Sequence, residues 1–181
     1  MSDGPKVIDP KLAAKRVKLF VMDVDGVLTD GGVYYDSQGG TVGRRFNVQD
    51  GLGIKIAQAA GLDMAVISGL RSTPVVKRME ELGITEYHGG HLHKLPILEG
   101  ILEQRGLDFS QVAFLGDDWI DASILKRVGL PMSVPNAQPE ILEMAAWITT
   151  RRGGDGAVRD AIRFILDAQN RWEPMWRHWS A

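Results

Sequence analysis

The 181-residue sequence predicts an α/β protein built on a doubly wound, mainly parallel sheet with a β-hairpin insertion. Three observations carry this reading. Short apolar runs recur at 17–22, 62–67, 112–115 and 130–134, the first of them rich in valine, as buried strands of a parallel sheet require. Segments of helical length alternate with them, bounded by glycine and proline. Polar residues able to do chemistry gather just after several of the apolar runs, where open α/β sheets bind ligands.

The elements follow in order. Residues 1–16 read as a polar lead-in with a short helix over 10–16. The run 17–22 is the first buried strand. Val33-Tyr34-Tyr35, the turn Asp36-Ser37-Gln38-Gly39-Gly40 and residues 41–48 read as a hairpin with a glycine-rich turn. A helix over 51–60 stops at Gly61, since glycine suits the left-handed position after a helix. Residues 62–67 form the next buried strand. Thr73-Pro74 opens a helix, with proline suited to its first turn, and Gly83 closes it before a short strand at 84–87. Leu95, Leu98, Ile101 and Leu102 share one face of a helix over 94–104. A strand at 112–115, a helix at 121–128 and a strand at 130–134 follow. A helix near 139–145, a strand at 147–149 and a helix at 157–168 complete the pattern. The tail, 169–181, carries Trp172, Trp176 and Trp179 at helical spacing beside Arg171, Arg177 and His178. It reads either as an aromatic plug between subunits or as a terminus packed on its own subunit. No repeat or low-complexity linker divides the chain, so a single domain over 1–181 is expected.

Composition narrows the function classes. Twenty-one lysines and arginines against 23 acidic residues give a net charge of −2, so there is no bulk electrostatic case for nucleic acid. The absence of cysteine excludes disulfides, thiol catalysis and cysteine-ligated zinc. No apolar run is long enough to span a bilayer, and residues 1–18 lack a signal-peptide core, so a cytoplasmic address is expected.

The chemistry is concentrated in four places. Asp23 and Asp25 follow the first strand in the string Asp23-Val24-Asp25-Gly26-Val27-Leu28-Thr29-Asp30. Residues two apart on an extended backbone point the same way, so the two carboxylates form a candidate metal or phosphoryl-transfer site. Ser68 and Gly69 end the second major strand. Lys94 opens a helix. Gly116-Asp117-Asp118-Trp119-Ile120-Asp121 places three carboxylates after a later strand. Singly, each has a structural explanation: a loop cap, a turn serine, a solvated lysine, first-turn carboxylates on a helix dipole. Together and in this order they read as an active site. His88, His91 and His93 offer a weaker zinc reading, because their segment also positions Lys94.

This four-part order resembles the motifs of the haloacid dehalogenase superfamily of phosphotransferases, which implies a Rossmann-like sheet. The segments Phe46-Asn47-Val48-Gln49-Asp50-Gly51 and Gly153-Gly154-Asp155-Gly156-Ala157-Val158-Arg159, with the spacing from about residue 18 to 166, resemble the 3-deoxy-D-manno-octulosonate 8-phosphate phosphatase family. The resemblance implies a Mg²⁺-dependent hydrolase of a sugar-acid phosphate in lipopolysaccharide sugar synthesis. It implies metal ligation by Asp23, Asp117 and the Asp25 carbonyl, with Asp118 or Asp121 holding metal-bound water. Asp23 would attack phosphorus, Asp25 would act as general acid and base, and Ser68, Gly69 and Lys94 would bind the phosphoryl oxygens. Neither interval between the motifs is long enough for a cap domain, and the resemblance then implies a site covered by neighbours in a homotetramer joined through the apolar hairpins, residues 33–48. Arg44, Arg45, Asp50 and Arg71 are the candidate substrate contacts.

Two departures bear on the substrate. Leu70 stands where the family usually has arginine, with Arg71 next, and Gln49 stands where arginine is frequent. A nine-carbon keto-acid sugar 9-phosphate is therefore an alternative substrate. A non-catalytic tetramerisation module is the alternative from another class, disfavoured by the joint presence of Asp25, Lys94 and Asp117.

Overall fold

The structure, a computed structural model, describes residues 8–181; the polar lead-in at 1–7 lies outside them. The strands are Leu19–Met22 (β1), Tyr34–Tyr35 (β2), Thr41–Gly43 (β3), Asp63–Ser68 (β4), Tyr87–Gly89 (β5), Val112–Gly116 (β6), Leu130–Ser133 (β7) and Trp147–Ile148 (β8). The helices are Pro10–Arg16 (α1), Val48–Ala59 (α2), Thr73–Leu82 (α3), Leu95–Arg105 (α4), Ala122–Leu125 (α5), Pro139–Met144 (α6), Ala157–Ala168 (α7) and Trp172–Trp179 (α8).

Six strands pair in parallel in the order β5-β4-β1-β6-β7-β8. The chain builds outward from β1 to one edge, returns, and builds outward to the other. The strand order therefore reverses between β1 and β6, which defines the crevice where such sheets bind ligands. β1 is apolar throughout because both faces are covered: Phe20 and Met22 join one buried cluster with residues of α1, α2 and α7, while Leu19 and Val21 join the other with α4 and α5.

Several boundaries differ from the sequence reading for local reasons. The helix expected at 51–60 begins at Val48, because the Asn47 side chain accepts the Gln49 amide at 2.7 Å and caps it. Gly51 and Gly53 therefore lie inside α2, where an added Cβ would meet the Arg78 guanidinium and the Arg159 backbone. The second hairpin arm ends at Gly43 instead of 48, and β2 and β3 pair with a register shift at Tyr34/Tyr35. The short strand expected at 84–87 is displaced to Tyr87–Gly89. The helix expected at 121–128 is a 3₁₀ turn, Trp119–Asp121, followed by the short α5, because reciprocal bonds of Asp118 and Asp121 tighten its start.

Among the described residues, only the hairpin and α2 lie between β1 and β4, and only α3 and β5 between β4 and α4. Neither interval holds a cap domain among the described residues. No helix is long and apolar enough to cross a membrane among the described residues.

Candidate active site

Asp23 follows β1 directly, and Asp117 follows β6, so the two adjacent strands at the reversal point deliver them to one place. Asp121 joins them from the 3₁₀ turn: one carboxylate oxygen from each of Asp23, Asp117 and Asp121 lies within 4.8 Å of the others. Lys94, fully buried at the start of α4, reaches between them. Its Nζ lies 2.7 Å from Asp23 Oδ1 and donates to Asp121 Oδ1 at 2.6 Å. The other oxygen of Asp121 accepts the backbone N–H groups of Asp117 at 3.0 Å and Asp118 at 3.4 Å. Asp121 thus orients both the lysine and the loop that bears Asp117. Ser68, also buried, stands at the end of β4, and its Oγ accepts the Leu70 amide at 3.3 Å.

Crowding these carboxylates has a cost. Burial first, then Asp121, pushes Asp23 up to about 7 against the opposing pull of Lys94. Burial, then Asp23 and Asp121, pushes Asp117 up to about 8. Burial by itself would lower Lys94, but Asp23 and Asp121 outweigh it and its pKa is raised. Two carboxylate oxygens are left buried without an aligned hydrogen bond: Asp117 Oδ1, and Asp23 Oδ1 despite its close ion-pair approach to Lys94. Unsatisfied, clustered, hard oxygen atoms with excess negative charge fit a small divalent cation.

The loop after Asp23 is fixed from far along the chain. Asn136 Nδ2 donates to the Gly26 carbonyl at 2.9 Å, and its Oδ1 accepts the Gly153 N–H at 2.8 Å. Gly154 N–H bonds the Val27 carbonyl at 3.0 Å. A Cβ on Gly153 would collide with the Gly26 carbonyl, so glycine is required by close backbone approach. Gly26 itself has φ +89°, and a Cβ there would strike the Asp117 carboxylate. Asn136 and the buried Thr29, whose Oγ1 accepts from Gly26 and Gly31, were not singled out from sequence as loop supports. A polar residue just beyond the apolar run at 130–134 was the signal for Asn136.

The remaining candidates divide. Asp118 caps its own turn by accepting the Trp119 amide at 2.6 Å and is not one of the three clustered carboxylates. Arg71 is exposed. Asp50, expected as a substrate contact, is corrected: it is buried within α2 and accepts the amides of Gly156 at 3.3 Å and Arg159 at 2.8 Å at the start of α7. Arg45 pairs with Asp155 at 2.8 Å and Asp30 at 3.3 Å of its own chain. Arg44 turns inward, and its Nε donates to Asp25 Oδ1 at 2.7 Å. His88 binds Glu86 at 2.7 Å, and no histidine joins a metal-like cluster among the described residues. The Tyr87 hydroxyl, overlooked in the sequence, is buried without a partner among the described residues, and its pKa is raised, chiefly by burial. In the tail, Trp172 packs under Arg159 and Arg163, while Trp176 and Trp179 are exposed.

A reversed parallel sheet with an Asp-Lys-Asp-Asp cluster at its crevice defines a haloacid dehalogenase-like hydrolase, and residues 79–162 match the model of that family. The resemblance to known proteins goes further. The chain is 36% identical over 93% of its length to 3-deoxy-D-manno-octulosonate 8-phosphate phosphatase from Escherichia coli K12, covering 89% of that protein. It is 38% identical over 94% of its length to the Yersinia pestis enzyme of the same name, covering 90% of it. The crystal structure of the Moraxella catarrhalis 3-deoxy-D-manno-octulosonate 8-phosphate phosphatase in complex with a magnesium ion, a phosphate ion and a KDO molecule superimposes with a TM-score of 0.91 at 38% identity, covering 94% of this chain and 98% of that one. A cobalt-bound relative from Haemophilus influenzae gives a TM-score of 0.83 at 34% identity, covering 87% and 92%. The chain belongs to the 3-deoxy-D-manno-octulosonate 8-phosphate phosphatase family.

Proposed function

We propose that this protein is a Mg²⁺-dependent phosphatase that hydrolyses 3-deoxy-D-manno-octulosonate 8-phosphate to the free sugar acid and phosphate. The observation that carries the reading is the fully buried Lys94 set between Asp23 and Asp121, with Asp117 close enough to complete a cation site. Its support from comparison is the similarity to phosphatases of that name across nearly the whole chain.

In the mechanism, Asp23 and Asp117 would hold the cation, the Asp25 carbonyl would serve as a further ligand, and Asp121 would steady the site. When bound, Mg²⁺ supplies positive charge that neutralises the phosphate dianion and the carboxylate cluster. Lys94, Ser68 and Gly69 hold the phosphoryl oxygens, Lys94 as a point charge where negative charge develops. An oxygen of Asp23 forms a bond to phosphorus as the bond to the sugar oxygen breaks, and Asp25 delivers its proton to that leaving oxygen. Asp25, now ionised, takes a proton from water as the water oxygen bonds to phosphorus. The bond to Asp23 breaks, phosphate leaves, and both carboxyl groups return to their starting states.

The charged cluster is buried within one subunit, but without a cap nothing in that subunit encloses the sugar or excludes water from the phosphate above the cluster. We assign the cover to neighbouring copies in a homotetramer, joined through the exposed Val33, Tyr34 and Tyr35 of the hairpin. The chain then acts as one cytoplasmic catalytic domain with no nucleic-acid or membrane partner. Light scattering should report four subunits; a fully active monomer would overturn the shared cover.

The test of substrate is a comparison of kcat/KM with Mg²⁺ for the eight-carbon acid phosphate, nine-carbon keto-acid 9-phosphates and neutral hexose phosphates. The eight-carbon acid is expected to lead. A lead for the nine-carbon acids would reassign the substrate, and a lead for hexose phosphates would defeat the sugar-acid reading. Leu70, in a place where an arginine could fork onto a carboxylate, makes this comparison the decisive one.

A further inference from the structure

Arg44 lies in the segment between β3 and α2, and that segment is pinned on the loop that follows Asp23. Phe46 forms an antiparallel bridge with Thr29. Arg45 spans Asp30 and Asp155 on the outer side. Consecutive residues of an extended segment point opposite ways, so fixing Arg45 outward turns Arg44 inward. Its side chain is 3% exposed, while that of Asp25 is 25% exposed.

The contact has a polarity. Arg44 Nε holds Asp25 Oδ1 at 2.7 Å, and this is the only hydrogen bond the Asp25 carboxylate makes among the described residues. One oxygen is therefore clamped and the other makes no hydrogen bond among the described residues, in a side chain that is partly exposed. Among the described residues, the Arg44 guanidinium has otherwise only a long contact, 3.4 Å, to the Gly43 carbonyl. An arginine drawn out of water onto a single carboxylate is a poor way to stabilise a fold, because desolvation offsets the attraction. It is an effective way to hold a side chain that must meet a leaving oxygen within hydrogen-bond reach.

We infer that Arg44 is the positioning residue for Asp25, and that the hairpin delivers it, so the element that joins the subunits also sets the aim of the general acid and base. This rests on the phosphatase reading above. Arg44 acts through Asp25 and does not itself touch the phosphoryl group or the sugar.

The test uses the full-length Arg44→Gln and Arg44→Lys proteins with Mg²⁺, on the eight-carbon acid phosphate and on p-nitrophenyl phosphate. Arg44→Gln should lower kcat on the sugar-acid phosphate by about 10- to 100-fold with KM within roughly 3-fold, and Arg44→Lys should recover much of it. Because p-nitrophenolate departs without a proton, its first-turnover burst should keep a rate within about 3-fold of wild type, while the later turnovers slow for want of a well-placed base. Wild-type kinetics in Arg44→Gln would overturn the proposal. So would a raised KM at unchanged kcat, which marks a substrate contact, or a burst slowed as much as steady state, which marks a role at the phosphoryl group. Loss of folded protein in both variants would assign Arg44 to structure alone. Wild-type protein inactive on both substrates would instead defeat the phosphatase reading on its own.

Discussion

Replacing Lys94 with methionine removes the only ammonium from a cluster of three carboxylates while keeping the length of the side chain. Its two contacts, at 2.7 and 2.6 Å, are each worth about 6 kcal/mol of Coulomb attraction at an effective dielectric of roughly 20. Desolvation of the ions opposes this by several kcal/mol each, and breaking a buried pair by deleting one partner costs about 3–5 kcal/mol net. Urea unfolding of Lys94→Met in EDTA at about pH 8.5 should therefore show a loss of that size. The loss should shrink at about pH 6, because Asp23 and Asp117, already raised to about 7 and about 8 with the lysine present, then take up protons and relieve the repulsion. Mg²⁺ should restore part of the stability, since a ligand bound only by the native state contributes about 2.7 kcal/mol at a hundred times its dissociation constant. An unchanged unfolding midpoint in EDTA, or a defect that grows on acidification, would refute the electrostatic account.

Asp23→Asn should abolish turnover, and Asp25→Asn should retain metal while a phosphorylated enzyme accumulates; near wild-type rates in either would contradict the covalent route. Exhaustive EDTA treatment should stop activity, Mg²⁺, Mn²⁺ or Co²⁺ should restore it, and Ca²⁺ should inhibit, because its larger, more flexible shell can draw a second oxygen from Asp23. Burial raises Asp50 from 3.8 to about 6 in the folded protein, so folding favours its protonated form and stability falls as pH rises through that interval, by roughly 3 kcal/mol. Asp50→Asn should flatten that part of the stability–pH curve, and an unaltered slope would exclude Asp50 as its source.

The sheet was legible because its strands are apolar on both faces, and α1 and α7 begin and end where the sequence placed them. The cluster at the strand ends was legible because position after a strand fixes where a side chain goes: Asp23 and Asp117 needed only β1 and β6 to be neighbours. What depended on long-range packing was not. Nothing local distinguishes Arg44, which turns onto Asp25, from Arg45, which faces Asp30 and Asp155. Asp50 looked like a polar residue available to substrate, and only the approach of α7 converts it into an acceptor for helix amides. The start of α2 was misplaced because Gly51 and Gly53 argue against a helix locally, while packing against Arg78 and Arg159 favours them there.

The ties from Asn136, Gly153 and Gly154 to the backbone of Gly26 and Val27 also set an order of events during synthesis. Asp23 leaves the ribosome early, and β1 cannot gain its second neighbour until β6 has been made, some 90 residues later by the pairing of Leu19 with Val112. The loop beyond it acquires its last supports only when residues 153 and 154 arrive. Contacts so distant in sequence carry a loop-closure cost that must be met before they stabilise anything. A nascent chain stopped before that point carries Asp23 and Lys94 but lacks the clasp on the loop that bears Asp25, so the setting of that loop waits for residues encoded far downstream of it.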